Sequence, residues 1–289
     1  MEKIKIVTDS ASDIQLAQAE ALGIEILSVM LSVNGESYRE LVDLSTDEFY
    51  ELLEKSDELP TSSQITAFTY NEKFKQYLDE GYTDVICVCI NSKGSATYRN
   101  ACMAKEELYE NYPMASEQMR IHVVDSRNYS ALYGYPVRQA AMQAAQGVSA
   151  DEIVAYLEDW FSKVSVYFVP MTLKYVKKSG RVSAAAAFAG DLLGLRPIIR
   201  ICDGETSISE KIRGEKKIVP HLADWAQKMM IPETPYIILH GCSREYSDAL
   251  GEELTKRLGY PPAEYTKIGA AISINAGPDV AAVIILENR

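Results

Sequence analysis

The chain has 289 residues, 47% of them hydrophobic and 24% charged, with a formal net charge of −12. That length supports a large core and usually two domains. The negative charge disfavours non-specific nucleic-acid binding, and the absence of a bilayer-length apolar run or a leader ahead of MEKIKIVTDS makes a cytoplasmic protein the expectation.

Ile4 to Val7 is a short apolar strand ending in Thr8-Asp9-Ser10. Ser12 or Asp13 is expected to cap a helix with Ile14, Leu16, Ala17 and Leu22 inward, closed by Gly23. Ile24 to Val33 reads as strand, and Asn34-Gly35 is a strong hairpin signal, so a small β-ribbon is placed near residues 26–42. Ser45-Thr46-Asp47-Glu48 is a capping box ahead of a helix from Phe49 to Lys55. Thr61 to Thr66 is a hydroxyl-rich loop whose plain role is an N-cap at Thr66, although four hydroxyls and Gln64 exceed what one cap needs.

The chain is organised around residues 84–100. Val85 to Ile90 is a β-branched run suited to a strand buried on both faces. Asn91-Ser92-Lys93-Gly94 then turns the chain into a helix that begins near Ser95. Such a turn is expected to leave free backbone N–H groups at a positive dipole end, which suits an anion. Ser95 serves there either as a cap or as a ligand for that anion. The GxxxxGK[ST] spacing of a Walker loop is missing. Cys87 and Cys89 point to one face of this strand and read as small core residues in a reducing compartment.

Ile121 to Val124 is a further strand, followed by an Ala-rich helix to Gln146 and a second capping box at Ser149 to Glu152. Repeated strand–helix alternation predicts a parallel sheet with helices on both faces. Beyond residue 162 the pattern changes. Val164 to Val169 is a strand, Lys174 to Arg181 gathers four cations about Gly180, and Ala184 to Leu195 reads as a small-residue helix. Arg196 to Ile201 is a strand, Asp203-Gly204 a turn, and Arg213 to Lys217 the opening of a helix through Trp225. Tyr236 to Leu239 is a strand, a helix runs to Leu258, and two apolar runs flank Asn275 to Pro278. The expected fold class is α/β. A three-layer, parallel-sheet N-terminal domain over 1–162 carries the ribbon, and a smaller two-layer α/β domain with a mixed sheet spans 163–289.

Charge is uneven along the chain. Residues 163–217 hold eleven Lys/Arg against five Asp/Glu, leaving 18 against 36 elsewhere. A basic block on an acidic protein suits a phosphate or an acidic partner, or is a solvated face. Catalytic machinery is missing from the pattern. No GxSxG elbow and no GxGxxG follow the strands, the three histidines are scattered, and His240 beside Cys242 and Ser243 is a dyad by proximity only. No catalytic residue and no metal site is nominated, and Asp9, Asp43 and Asp125 do not stand out among 41 acids.

Several segments, in order, resemble those of the DegV-like bacterial fatty-acid-binding proteins, the acyl carriers of the fatty acid kinase system. IVTDSASDI is similar to the family's TDS start, SSQ at Ser62 to Gln64 to its TSQ loop, and NSKGSATYRNA to its SSGLSGTYQSA. LKYVKKSGRVS is similar to LxYLxKGGRI, and RGEKK and IGAAISINAGP fall where the family has related segments. The resemblance implies two α/β domains with an acyl chain buried between or within them. It places Ser62 and Ser95 as hydrogen-bond donors to the fatty acid carboxylate, and Asn275 where many members have His. Asn can donate but cannot be cationic. Ile65 replaces the usual Pro after TSQ. Arg181 and Arg213 match basic residues used around the partner kinase and its phosphate.

The implied function is a non-catalytic carrier. It binds a long-chain fatty acid in an apolar tunnel and presents the carboxylate for phosphorylation by a separate fatty acid kinase. Transient membrane contact is admitted, nucleic acid is not, and no cofactor is needed beyond the bound fatty acid. Tunnel residues are not separable by sequence, because Leu27, Val29, Phe188 and Leu192 serve equally well as core. Two rivals remain: an enzyme or binding protein for a small phosphorylated metabolite held by the Ser95 turn and Arg181, and a regulatory adaptor using its acidic face.

Overall fold

A computed structural model describes residues 2–56, 58–182 and 194–288. The expected helix of Ala184 to Leu195 lies outside the described residues, apart from Gly194 and Leu195. A parallel four-stranded sheet opens the fold. It comprises β1 (Ile4–Asp9), β2 (Glu25–Leu27), β6 (Asp84–Cys89) and β7 (Arg120–Asp125), in the order β2-β1-β6-β7. All six residues of β6 are buried, as a central strand covered on both faces requires. Val7, Val85, Cys87 and Cys89 meet α3 (Ala67–Asp79) and α4 (Thr97–Asn111) on one face. Ile6, Ile86 and Val88 meet α6 (Ala131–Ala145) and α7 (Ala150–Lys163) on the other. This is the expected three-layer arrangement, set by the two-residue period of strands.

The ribbon is present and larger than expected. β3 (Met30–Val33) and β4 (Glu36–Arg39) form a hairpin in which Asn34 (φ 50°) and Gly35 (φ 82°) are both left-handed, the two-residue turn that Asn-Gly favours. A third strand, β5 (Thr61–Ser63), pairs with the other edge of β3 and places Ser62 opposite Leu31. The hydroxyl-rich segment is therefore strand through Ser63, and only Thr66 caps a helix, accepting from Thr69 N–H at 3.2 Å. Ile24 to Val33 is not one strand. It breaks after Leu27, and its two pieces enter different sheets. The cap expected at Ser12 or Asp13 is also displaced. Helix α1 (Leu16–Leu22) is capped by a Gln15–Gln18 box, with Leu16 turned outward at 47% exposure. Ser12 and Asp13 are buried ahead of it.

A six-stranded mixed sheet follows, in the order β10-β9-β8-β13-β11-β12. Its members are β8 (Val164–Pro170), β9 (Leu195–Cys202), β10 (Glu205–Arg213), β11 (Ile237–His240), β12 (Glu264–Lys267) and β13 (Val280–Leu286). One face, with Tyr167, Val169, Ile198 and Val283, carries α9 (Ile218–Met229) and α10 (Glu245–Leu258). Val166, Phe168, Ile199, Ile201, Leu239 and Ile284 on the other face join α6 and α7 in the largest apolar cluster of the protein. One core thus unites residues from both halves, and α6 and α7 share it with both sheets. Arg213, expected at a helix start, is the last residue of β10, and α9 begins at Ile218. The polar strands β10 and β12 are the two edges of the sheet, where solvated residues are normal. The first apolar run after residue 269 is a helix, α11 (Ala270–Ala276).

A candidate amphipathic cavity

A cavity of about 450 Å³ lies against this shared core, within the roughly 300–1,000 Å³ of typical small-ligand pockets. Its lining is of two chemistries. Leu132, Val166, Phe168, Ile201, Leu239, Val280 and Ala282 supply aliphatic and aromatic wall. Ser62, Ser63, Gln64, Ser92, Lys93, Ser95, Arg99, Tyr129, Arg181 and Asn275 supply polar groups. Of the residues expected from sequence, Ser62, Ser95, Asn275 and Arg181 line this one cavity. Arg213 does not; it is exposed at the end of β10, opposite Leu195. Val29 lines the wall, Leu27 is core elsewhere, and Phe188 and Leu192 lie outside the described residues.

Two clips hold the ribbon segment against the Ser95 turn. Ile65 N–H donates to Thr97 Oγ1 at 3.4 Å, and Asn100 Nδ2 donates to Ile65 C=O at 2.7 Å. Ser95 Oγ lies 3.0 Å from Thr97 Oγ1 and accepts from Thr97 N–H at 3.3 Å, so it tightens the first turn of α4. The Ser62 hydroxyl makes no hydrogen bond among the described residues and is free for a ligand.

The free amides expected at the turn are mostly engaged. Ser92 N–H donates to Asp125, Lys93 N–H to the Asn91 side chain, and the Gly94 and Ser95 amides to Asn91 C=O. Asn91, fully buried, also donates Nδ2 to Tyr129 Oη (2.9 Å) and to Gly204 C=O (3.2 Å). It thereby ties the turn to the Asp203-Gly204 hairpin tip of the second sheet. Arg127 to Asp203 (2.9 Å) and Lys93 to Glu205 add ion pairs across the same contact. Side chains, more than main-chain N–H groups, therefore provide the donors at the polar end.

The basic block of residues 163–217 is spent in several places. Arg196 and Arg200 bond Glu215 and Glu287. Arg181 gives Nη1 to Ser179 C=O at 2.8 Å and Nε to Gly94 C=O at 3.5 Å. Lys93 and Arg99, two of the three cations on the cavity, were not singled out by sequence. The available signal for Arg99 was its place in the first turn of the helix that follows the Ser95 turn.

A buried acidic cluster holds the far wall. Asp13 accepts from Gly269 N–H at 2.9 Å, and Glu40 from Ala271 N–H at 2.8 Å. Both carboxyls therefore cap α11, which lines the cavity through Ala271, Ile272, Asn275 and Ala276. Asp9 accepts from Tyr133 Oη at 2.6 Å and from Ile90 N–H at 2.8 Å. Burial pushes the Asp9 carboxyl up to about 6 and raises Asp13 and Glu40 as well. Asn275 gives its Nδ2 to Ala271 C=O at 2.9 Å. His240 is buried beside Gly241 C=O, and burial lowers its pKa. Among the described residues no His/Cys/Asp/Glu group is placed to hold a metal ion, and no helix is long and apolar enough to cross a membrane.

The arrangement can take a molecule with one polar end and a long apolar body. Known proteins resemble this chain along its whole length. A family model described as "Uncharacterised protein, DegV family" matches residues 3–288. A DegV domain-containing protein of Caldanaerobacter subterraneus is 31% identical over 289 residues, covering 99% of this chain and 100% of the relative. A fatty acid binding DegV family protein from Streptococcus agalactiae superposes with a TM-score of 0.87 at 26% identity, covering 100% of both chains. The Streptococcus pneumoniae Fatty Acid Kinase (Fak) B3 protein, solved loaded with linoleic acid, gives 0.85 at 20% identity over 100% of both chains, a likeness of fold.

Proposed function

We propose, on the premise that this chain belongs to the DegV family, that it is a carrier of a long-chain fatty acid. The tail occupies the apolar part of the cavity, and the carboxylate meets Ser62, Ser95 and Asn275. The carrier presents that carboxylate to a separate kinase for phosphorylation, with Arg181 and Arg213 on the partner-facing side. The division at residues 162/163 then puts the headgroup hydroxyls on one unit and much of the tail wall on the other. The observation that carries the reading is one cavity lined both by hydroxyl and amide groups and by core side chains.

Burial of each CH₂ contributes about 0.8 kcal/mol, so a C16–C18 tail brings on the order of 10 kcal/mol before the cost of ordering it. Affinity comes from the tail and register from the head. A phosphorylated metabolite without a tail would leave the apolar wall unused.

The test is solvent extraction and mass spectrometry of the purified protein, followed by oleate and palmitate uptake. A co-purified long-chain acid and saturable uptake are expected. Retention of phosphate or nucleotide with no lipid uptake would establish the rival reading instead.

A further inference from the structure

We infer that Arg99 is the residue that sets this cavity's preference for an ionised acid over a neutral lipid of the same length, by supplying the positive charge opposite the head group. The inference rests on the carrier reading above and adds the source of the charge. Three cations line the cavity: Lys93, Arg99 and Arg181. Lys93 is paired with Glu205. Arg181 is held on two backbone carbonyls, Ser179 and Gly94. Arg99 has no hydrogen bond and no ion pair with any described residue. Asn275, on α11, is neutral and bonded to its own helix.

An anion drawn partly out of water needs a counter-charge. Hydroxyls from Ser62 and Ser95 orient a carboxylate but do not neutralise it. Arg99 lies in the first turn of α4, just after the Ser95 turn, lines the same cavity, and carries a planar fork of donors suited to a carboxylate. Its engagement breaks no existing contact, whereas Lys93 or Arg181 would first have to surrender one.

The experiment compares oleate with oleyl alcohol, an equal chain bearing a neutral head, on the full-length protein and on Arg99→Gln and Arg99→Lys. Oleate affinity is expected to fall about ten- to a hundredfold in Arg99→Gln, the range for loss of a charge-assisted hydrogen bond. Oleyl alcohol affinity should change less than twofold, and Arg99→Lys should recover part of the loss. Equal oleate binding by wild type and Arg99→Gln overturns the inference alone. An equal loss for both lipids also overturns it, since Arg99 would then act through the fold or the tail. Wild-type protein that takes up neither lipid sinks the carrier reading and the inference together.

Discussion

Gly269→Ala should both destabilise the protein and impair the cavity. Gly269 is the N-cap of α11. A Cβ there would stand 2.6 Å from Asp13 Oδ1 and 3.1 Å from Glu40 Oε1. Neither carboxyl can retreat easily. Asp13 is bonded on its other oxygen by the Ser130 hydroxyl, and Glu40 by the Ser10 hydroxyl at 2.6 Å. All four residues are buried. Overpacking of this kind costs about 1–3 kcal/mol, and loss of the bond from Gly269 N–H to Asp13 about 1.5–3 kcal/mol, so a total on the order of 3–5 kcal/mol is expected. At about 2 °C per kcal/mol for a chain of this size, the thermal midpoint should drop by roughly 6–10 °C.

Gly251→Ala is the matched comparison. Its Cβ would lie only 2.0 Å from Tyr265 Oη, a nominally worse clash. Tyr265, however, stands on the edge strand at 37% exposure and can swing into solvent, while Ala gains about 1 kcal/mol over Gly in a helix interior. Circular dichroism melting and urea titration should place Gly251→Ala within about 1 kcal/mol of wild type. Equal destabilisation by the two substitutions, or none by Gly269→Ala, would refute the claim that pinned carboxyls fix α11.

The raised Asp9 carboxyl makes stability pH-dependent. A group moved from 3.8 to about 6 binds its proton more tightly when folded, so its contribution is full below 3.8 and is lost as pH rises through about 6. The folding free energy should therefore rise by about 0.8 kcal/mol on going from pH 7.5 to 5.5, the full gain on the order of 3 kcal/mol being reached only near pH 3.8, and Asp9→Asn should flatten that rise; parallel profiles would dismiss Asp9 as the source. Asn91→Ala removes two donated bonds and one accepted bond from a fully buried side chain, and about 3 kcal/mol should be lost in urea denaturation; a loss below about 0.5 kcal/mol would contradict a fastening role. Ser62→Ala should weaken oleate binding at unchanged stability, because its hydroxyl has no protein partner among the described residues. Ser95→Ala should weaken binding and also cost about 1 kcal/mol, through the lost bond to Thr97 N–H; identical melting curves for the two variants would count against that distinction.

Elements whose signal is local were legible in the sequence. The Asn34-Gly35 turn needs two left-handed residues and has them, the boxes at Ser45 and Ser149 close on Glu48 and Glu152, and β6 is apolar because both of its faces are covered. Edge strands were not legible. Glu205 to Arg213 alternates polar residues around a bulge near Ile208, and only its pairing with β9 shows it to be strand. The capping of α11 by Asp13 and Glu40 was hidden for another reason. The partners lie more than 200 residues apart in sequence, at |i−j| of 256 and 231, and no local pattern distinguishes a buried acid from the other carboxylates of an acidic chain. The pairing of the Ser62 and Ser95 segments was suggested by resemblance, while its physical means, the two bonds at Ile65, required coordinates.

The cavity and the core are built from the same residues. Leu132, Val166, Phe168, Ile201, Leu239, Val280 and Ala282 line the one and belong to the other, so an apolar chain lying there extends the packing that joins the two sheets. Binding of the tail is then linked to folding: a ligand at a hundred times its Kd stabilises the folded state by about 2.7 kcal/mol. The polar groups are not part of that core packing. They sit on a strand and a helix start clipped to each other through Ile65, and on rim cations whose removal leaves the core untouched. In the ligand-free protein, substitutions at Ser62 and Arg99 should leave the melting temperature unchanged while lowering affinity, and the ligand-induced rise in melting temperature should shrink in step with that affinity, whereas substitutions at Gly269 lower the melting temperature without ligand.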